Sequence, residues 1–180
     1  MPAYLDTINT FLSIGAICLQ VVTLVLVLAL IFTPRTHPVR VFFKQHTFII
    51  SFILAFSAVA LSLFYSEVIG FPPCELCWVN RIFIYPLAIL MGMELYKKDK
   101  AIVDQAIALS LLSVLTSIFH IYIERGGESA LPCASPDVVN QVSCATRYVY
   151  EFSYVTIPVM AFSAIFFVLM LLINYKHSTR

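Results

Sequence analysis

The sequence predicts an all-α fold, a polytopic membrane helix bundle. Three observations carry that prediction: extreme apolarity, long stretches without charge, and basic residues confined to alternate loops. Of the 180 residues, 61% are hydrophobic and 12% charged, against roughly 25% charged in an average globular domain. A soluble chain of this size has too few polar groups to cover its surface. The net charge of +1 gives no footing to a nucleic-acid partner.

Residues 7–34, 45–66, 105–123 and 152–175 contain no Asp, Glu, Lys or Arg. Each reaches the roughly 20 residues that a helix needs to cross about 30 Å of hydrocarbon. A fifth run, 82–93, is too short alone. Extended to 78–96 it becomes long enough, with Arg81 and Glu94 near its ends, where long side chains can reach the interface. The first run is too long for a cleavable signal peptide and lacks a basic n-region and a small-residue cleavage site. The expected spans are therefore 8–33, 47–66, 78–96, 103–123 and 153–174.

The loops sort by charge. Arg35, Arg40 and Lys44 lie between spans one and two, Lys97, Lys98 and Lys100 between three and four, and Lys176 and Arg180 after span five. These are eight of the 11 basic residues, all on one side of a five-span chain. The other side carries Asp6, Glu67, Glu75, Glu124, Glu128, Asp137 and Glu151 with Arg81, Arg125 and Arg147. The positive-inside rule makes the first side cytoplasmic and puts the N-terminus outside. A third segment that did not cross would strand Cys74 and Cys133 on opposite faces, so five crossings fit best.

Four of the five cysteines then face outward: Cys74, Cys77, Cys133 and Cys144. Outside a prokaryotic cytoplasmic membrane they are expected to rest as disulfides, and the sequence does not choose among the possible pairings. Cys74-Glu75-Leu76-Cys77 follows Pro72 and Pro73 where the third span begins, which suits the start of a helix. In that first turn, unpaired N–H groups and the helix dipole favour a thiolate at Cys77. Arg81, four residues on, lies on the same face and adds a fixed cation. A structural disulfide or half of a metal site is the plainer reading of a C-x-x-C. The metal reading requires a second compact pair or nearby histidines, and neither outer loop supplies them, so no metal is assigned.

Cys133 and Cys144 fall in a connection, 124–152, that is long for two neighbouring helices. Gly126, Gly127 and Pro132 are expected to loosen its start, and Ser135-Pro136-Asp137 to begin a short helix running to Val142. A mobile disulfide can meet a soluble protein and fold back toward the C-x-x-C; a structural staple is the alternative. Cys18, about 15 Å into the first span at 1.5 Å per residue, reads as a small buried apolar side chain. His120 lies near the outer end of span four with Glu124 one turn later, a depth where polar groups are costly. Trp78, Tyr85, Tyr122 and Tyr154 read as an interfacial belt, and Pro86 as a kink that opens a cleft beside Cys77.

Together these residues resemble the disulfide bond formation protein B family, the membrane oxidases that re-oxidise a thioredoxin-fold partner. The resemblance rests on Cys74-Glu75-Leu76-Cys77-Trp78-Val79-Asn80-Arg81-Ile82, on Tyr85-Pro86-Leu87, and on Ser143-Cys144-Ala145-Thr146-Arg147-Tyr148 with Ile157-Pro158 beyond. It is closest to the short-loop, BdbC-like form of Gram-positive bacteria and covers about residues 47–175. It implies a four-helix thiol-oxidase core at 47–175 with outer loops at 67–77 and 124–152. Residues 1–46 then form an extra N-terminal span with its cytoplasmic loop, and 176–180 a cytoplasmic tail. The family usually has four spans, and Asn80 stands where Gln or Glu is common.

The resemblance further implies an enzyme of the cytoplasmic membrane serving a DsbA-like thioredoxin-fold thiol oxidase and the quinone pool, ubiquinone or menaquinone, in support of oxidative protein folding. A Cys133–Cys144 disulfide would meet the partner, Cys144 would exchange with Cys74, and Cys77 would face the quinone with Arg81 and His120 beside it. The alternative is a non-catalytic membrane protein with two structural disulfides. A conduit delivering reducing equivalents outward would need thiols that receive electrons from the cytoplasmic side, and Cys18 alone is unpaired within the membrane.

Overall fold

The computed structural model describes residues 3–97, 102–127 and 143–179. Cys133, Lys98 and Lys100, and the short helix expected from Pro136 to Val142, lie outside them. Five α-helices carry the described chain: α1 (Ala3–Phe32), α2 (Pro38–Leu63), α3 (Glu75–Lys97), α4 (Ile102–Glu124) and α5 (Ile157–Thr179). All five are long and apolar enough to cross a membrane. Among the described residues there is no strand, only an isolated bridge between Glu151 and Val155.

Helices α2 to α5 close a four-helix bundle in which each packs on two neighbours: α2 on α3 and α5, α4 on α3 and α5. α1 lies outside the ring, against α5 and α2. The bundle is filled by Leu87, Met91, Ala106, Ile165, Val168 and Leu172. Gly92 lets α3 approach α2, since a Cβ there would stand 3.0 Å from the Phe52 ring.

Apolar packing gives little preference among helix faces in lipid, so buried polar pairs fix the register. Asn80 donates to Ser117 Oγ (3.2 Å) and accepts from Ser113 Oγ (2.5 Å), joining α3 to α4. At the opposite end from the C-x-x-C, Arg40 is 2% exposed. It donates to Asn174 Oδ1 (3.2 Å) and the Thr33 carbonyl (3.0 Å) and bonds His177 Nδ1 (2.9 Å). Lys44 donates to the Ser178 carbonyl, and Lys176 pairs with Asp104 at 2.7 Å. The loop cations thus secure the C-terminal turns of α5 as well as marking one end of the bundle.

Three expectations change. α2 begins at Pro38, in the first turn of the helix, nine residues before the expected span. Proline pre-sets the helical φ there, and hydropathy registers only the apolar part of a longer helix. Arg81 and Glu94, expected to reach outward, are buried at 6% and 3% exposure. Cys18 is exposed on the outer side of α1 rather than buried, because only one face of that helix has a partner.

Candidate functional site

The chain reaches α3 through Pro72, Pro73 and Cys74, and Cys74 caps the helix. Its carbonyl accepts from the Trp78 N–H (3.2 Å), and its sulfur accepts from the Cys77 N–H (3.4 Å). The sulfur therefore occupies the place of a capping oxygen, among free amides at the positive end of the helix. Cys77 lies on the first turn with its sulfur 3.1 Å from that of Cys74. Both are free thiols, whereas Cys144 is disulfide-bonded, with its partner outside the described residues. The expectation that all four outer cysteines rest as disulfides therefore does not hold for the C-x-x-C. The Cys74 thiol points its proton at the Cys77 sulfur. That hydrogen bond, then burial, then the neighbouring Cys77 charge raise the Cys74 pKa above the ordinary thiol range, so Cys77 is the acceptor of the pair.

His120 comes from α4. Its Nε2 is 3.6 Å from the Cys74 sulfur, and its ring is hydrogen-bonded to the Cys144 backbone. Cys144, 1% exposed, packs with Cys74, Leu76 and Ile123. The helix packing thus gathers what lies 70 residues apart in sequence. The segment after Cys144 is held by Arg147, which donates to the Glu124 carbonyl (2.6 Å). It is also held by Tyr148, stacked on Phe71 with centroids 4.6 Å apart. Gly126 and Gly127, expected to loosen the loop, instead close α4. The Gly127 N–H bonds the Tyr122 carbonyl, the Gly126 N–H bonds that of Ile123, and Gly126 takes φ +91°, the Schellman pattern that favours glycine.

Cys77 stands between two cavities. A small chamber of about 40 Å³, large enough for ordered water, touches Cys74, Cys77, His120, Glu124 and Tyr148. A larger, mainly apolar cavity of about 400 Å³ opens on the other side and is lined by Cys77, Arg81, Tyr85 and His120 together with parts of α1, α2 and α5. Arg81 lies over the Trp78 ring at 5.0 Å and donates to the hydroxyl (2.8 Å) and carbonyl (2.9 Å) of Ser62, just before α2 widens into a π turn at Phe64–Val68. Every residue singled out from sequence for this region is brought together, apart from Cys133, which lies outside the described residues.

Sequence reasoning misassigned one residue of the site. Tyr85, assigned to an interfacial belt, lines the large cavity, and its hydroxyl is buried with no hydrogen-bond partner among the described residues. The 77, 81, 85 spacing along one helix face was the available signal. Glu124 is buried and accepts from Thr156 (2.7 Å). The absence of a nearby histidine, used against a metal, is also overturned. Cys74, Cys77 and His120 place their donor atoms within 4.8 Å of one another, a set of three where structural zinc takes four.

The family model for disulfide bond formation protein DsbB matches residues 44–175. The chain belongs to the DsbB family. A probable disulfide formation protein of Oceanobacillus iheyensis is 37% identical over 138 residues, covering 72% of this chain and 89% of the relative. Disulfide bond formation protein C of Bacillus subtilis strain 168 is 31% identical over 129 residues, 70% of this chain and 89% of the relative. Probable disulfide formation protein C 2 of Bacillus cereus is 30% identical over 137 residues, 76% of this chain and 94% of the relative. No solved structure gives a significant match. As a DsbB-family protein with five helices long and apolar enough to cross a membrane, the chain is a multi-pass membrane oxidoreductase of disulfide formation. α1 lies wholly before the matched segment.

Proposed function

We propose that this DsbB-family protein is a thiol:quinone oxidoreductase that re-oxidises a DsbA-like thioredoxin-fold partner outside the prokaryotic cytoplasmic membrane. The observation that carries the reading is the position of Cys77: free, beside Cys74, and shared by a small chamber touching Cys74, Glu124 and Tyr148 and a large apolar cavity among the helices. The catalytic unit is the four-helix segment 47–175, with residues 1–46 appended and 176–180 as a tail. The N-terminus is outside and the C-terminus inside, as the basic residues at the far end support.

A thiolate of the reduced partner attacks Cys133 of a Cys133–Cys144 disulfide. The partner's second thiolate then displaces Cys133, so the partner leaves oxidised and this pair holds two electrons as thiols. The Cys144 thiolate attacks Cys74 of a Cys74–Cys77 disulfide and expels Cys77 as thiolate. Cys133 resolves the Cys74–Cys144 bond, which restores the outer disulfide and leaves the C-x-x-C reduced. Exchange of this kind needs an accessible thiolate and a good leaving sulfur. The helix N-terminus and Arg81 provide the second at Cys77. His120, next to the Cys74 sulfur, is placed to hold the proton exchanged there.

The cavity's residues fit a quinone head: a largely apolar lining, the Arg81 guanidinium, and a buried Tyr85 hydroxyl in want of an acceptor. A quinone held there, ubiquinone or menaquinone, would supply the acceptor for the two electrons and two protons that re-forming the Cys74–Cys77 disulfide releases. Arg81 holds negative charge on the Cys77 side of the cavity, and its two bonds to Ser62 fix its aim. A pair of purely structural disulfides is not favoured, because Cys74 and Cys77 are free and line cavities.

The exchange step has a direct test. In the double variant Cys77→Ser, Cys133→Ser, mild oxidation is expected to join Cys74 to Cys144, detectable as one cross-linked peptide by mass spectrometry. Both thiols remaining free in a folded protein would exclude the exchange.

A further inference from the structure

α1 belongs to this chain beyond the family-matched segment, and its stretch from Phe11 to Leu19 faces the large cavity. Phe11, Leu12, Gly15, Ala16 and Leu19 recur at helical spacing along one wall. The helix is held on both sides of that wall. Toward the C-x-x-C, Asn9 Oδ1 accepts from the buried Tyr65 hydroxyl at 2.6 Å. Deeper, Gln20 donates to Ser163 Oγ (2.8 Å) and accepts from the Tyr154 hydroxyl (3.0 Å), both on or beside α5. Farther on, the fully buried Leu26 packs with Phe167 and Leu171. Between the polar clamps the cavity is lined jointly by α1, α2 and α5.

Gly15 is not there for close packing, the usual reason for a small residue in a membrane helix. A Cβ built on it meets nothing within 4 Å, and its φ is not positive. Glycine weakens a helix relative to alanine, so what the residue leaves behind is volume. The groups suited to the acceptor's head, Cys77, Arg81, Tyr85 and His120, all come from α3 and α4. The wall formed by α1 carries no reactive group and is apolar between its clamps.

We propose that α1 is the outer wall of the acceptor cavity and that the Gly15–Ala16 step admits the isoprenoid tail of the quinone, making α1 a specificity element for the acceptor. The inference rests on the quinone reading of the cavity.

The full-length protein in detergent tests it with two probes, a short-tailed ubiquinone and the tail-less naphthoquinone ring. Gly15→Phe is expected to raise KM for the tailed quinone by roughly tenfold, the scale of a filled apolar subsite. KM for the tail-less ring and the single-turnover oxidation of reduced partner should be unchanged. Val21→Phe, on an outward position 58% exposed, should change neither KM. If Gly15→Phe does not fold, Gly15→Leu makes the same test. A folded variant with an unchanged KM for the tailed quinone, or an equal rise for both probes, would overturn the role of α1. Failure of the unaltered protein to reduce either quinone in a Cys77-dependent way would instead overturn the quinone reading itself.

Discussion

Replacing Cys77 with serine is expected to end quinone reduction while leaving the bundle folded. The turnover rate should fall by roughly 10⁴-fold or more, as when a nucleophile that acts as one of a set is removed. Folding should survive because Cys77 is a free thiol at the edge of two cavities, and the core of Leu87, Met91, Ile165 and Leu172 lies deeper. Partner chemistry should also survive in part. The disulfide at Cys144 is separate from Cys77, so reduced partner should still be oxidised once per chain and then no further. Thermal unfolding, together with a stopped-flow burst of partner oxidation, checks both halves. A variant that aggregates would assign Cys77 a structural role, and one that keeps turning over would remove it from the electron path.

Arg81 carries the second large effect. Arg81→Met removes a buried cation that lines the cavity with Cys77 and is fixed by two bonds to Ser62. A preorganised charge of this kind is worth roughly 10²–10³ in turnover, and that loss is expected in steady-state quinone reduction. Arg81→Lys keeps the charge without the forked hold on Ser62, so it should recover part of the rate and raise KM for quinone. Equal defects in both variants would mean that the geometry at Ser62, not the charge, is what matters. The partner burst should be intact in each, since Arg81 faces the apolar cavity.

How much of this was legible in sequence depended on the kind of signal. Charge-free runs and the alternation of lysine and arginine located all five helices, because lipid tolerates charge so poorly. The C-x-x-C after two prolines located the helix start, and the 77–81 spacing put Arg81 on the right face. The rotation of each helix was not legible. In a soluble helix an apolar stripe marks the buried face, but these helices are apolar all round. Inward and outward residues look alike, which is why Cys18 was placed inside and Tyr85 at the surface. The contact of His120 with Cys74 depends on how α4 packs against α3, fixed by the Asn80, Ser113 and Ser117 bonds, and no local pattern announces that. The span at α1 was legible, but its place along the cavity was not, since that too depends on helix rotation.

The most direct measurement of the electron path is the ultraviolet absorbance of quinone after a reduced thioredoxin-fold dithiol protein is added to the purified enzyme. The quinone band is expected to fall, at a rate that vanishes in Cys77→Ser and in Cys133→Ser. An undiminished band with several such partners and with both ubiquinone and menaquinone analogues, while the disulfide at Cys144 stays intact, would contradict the relay.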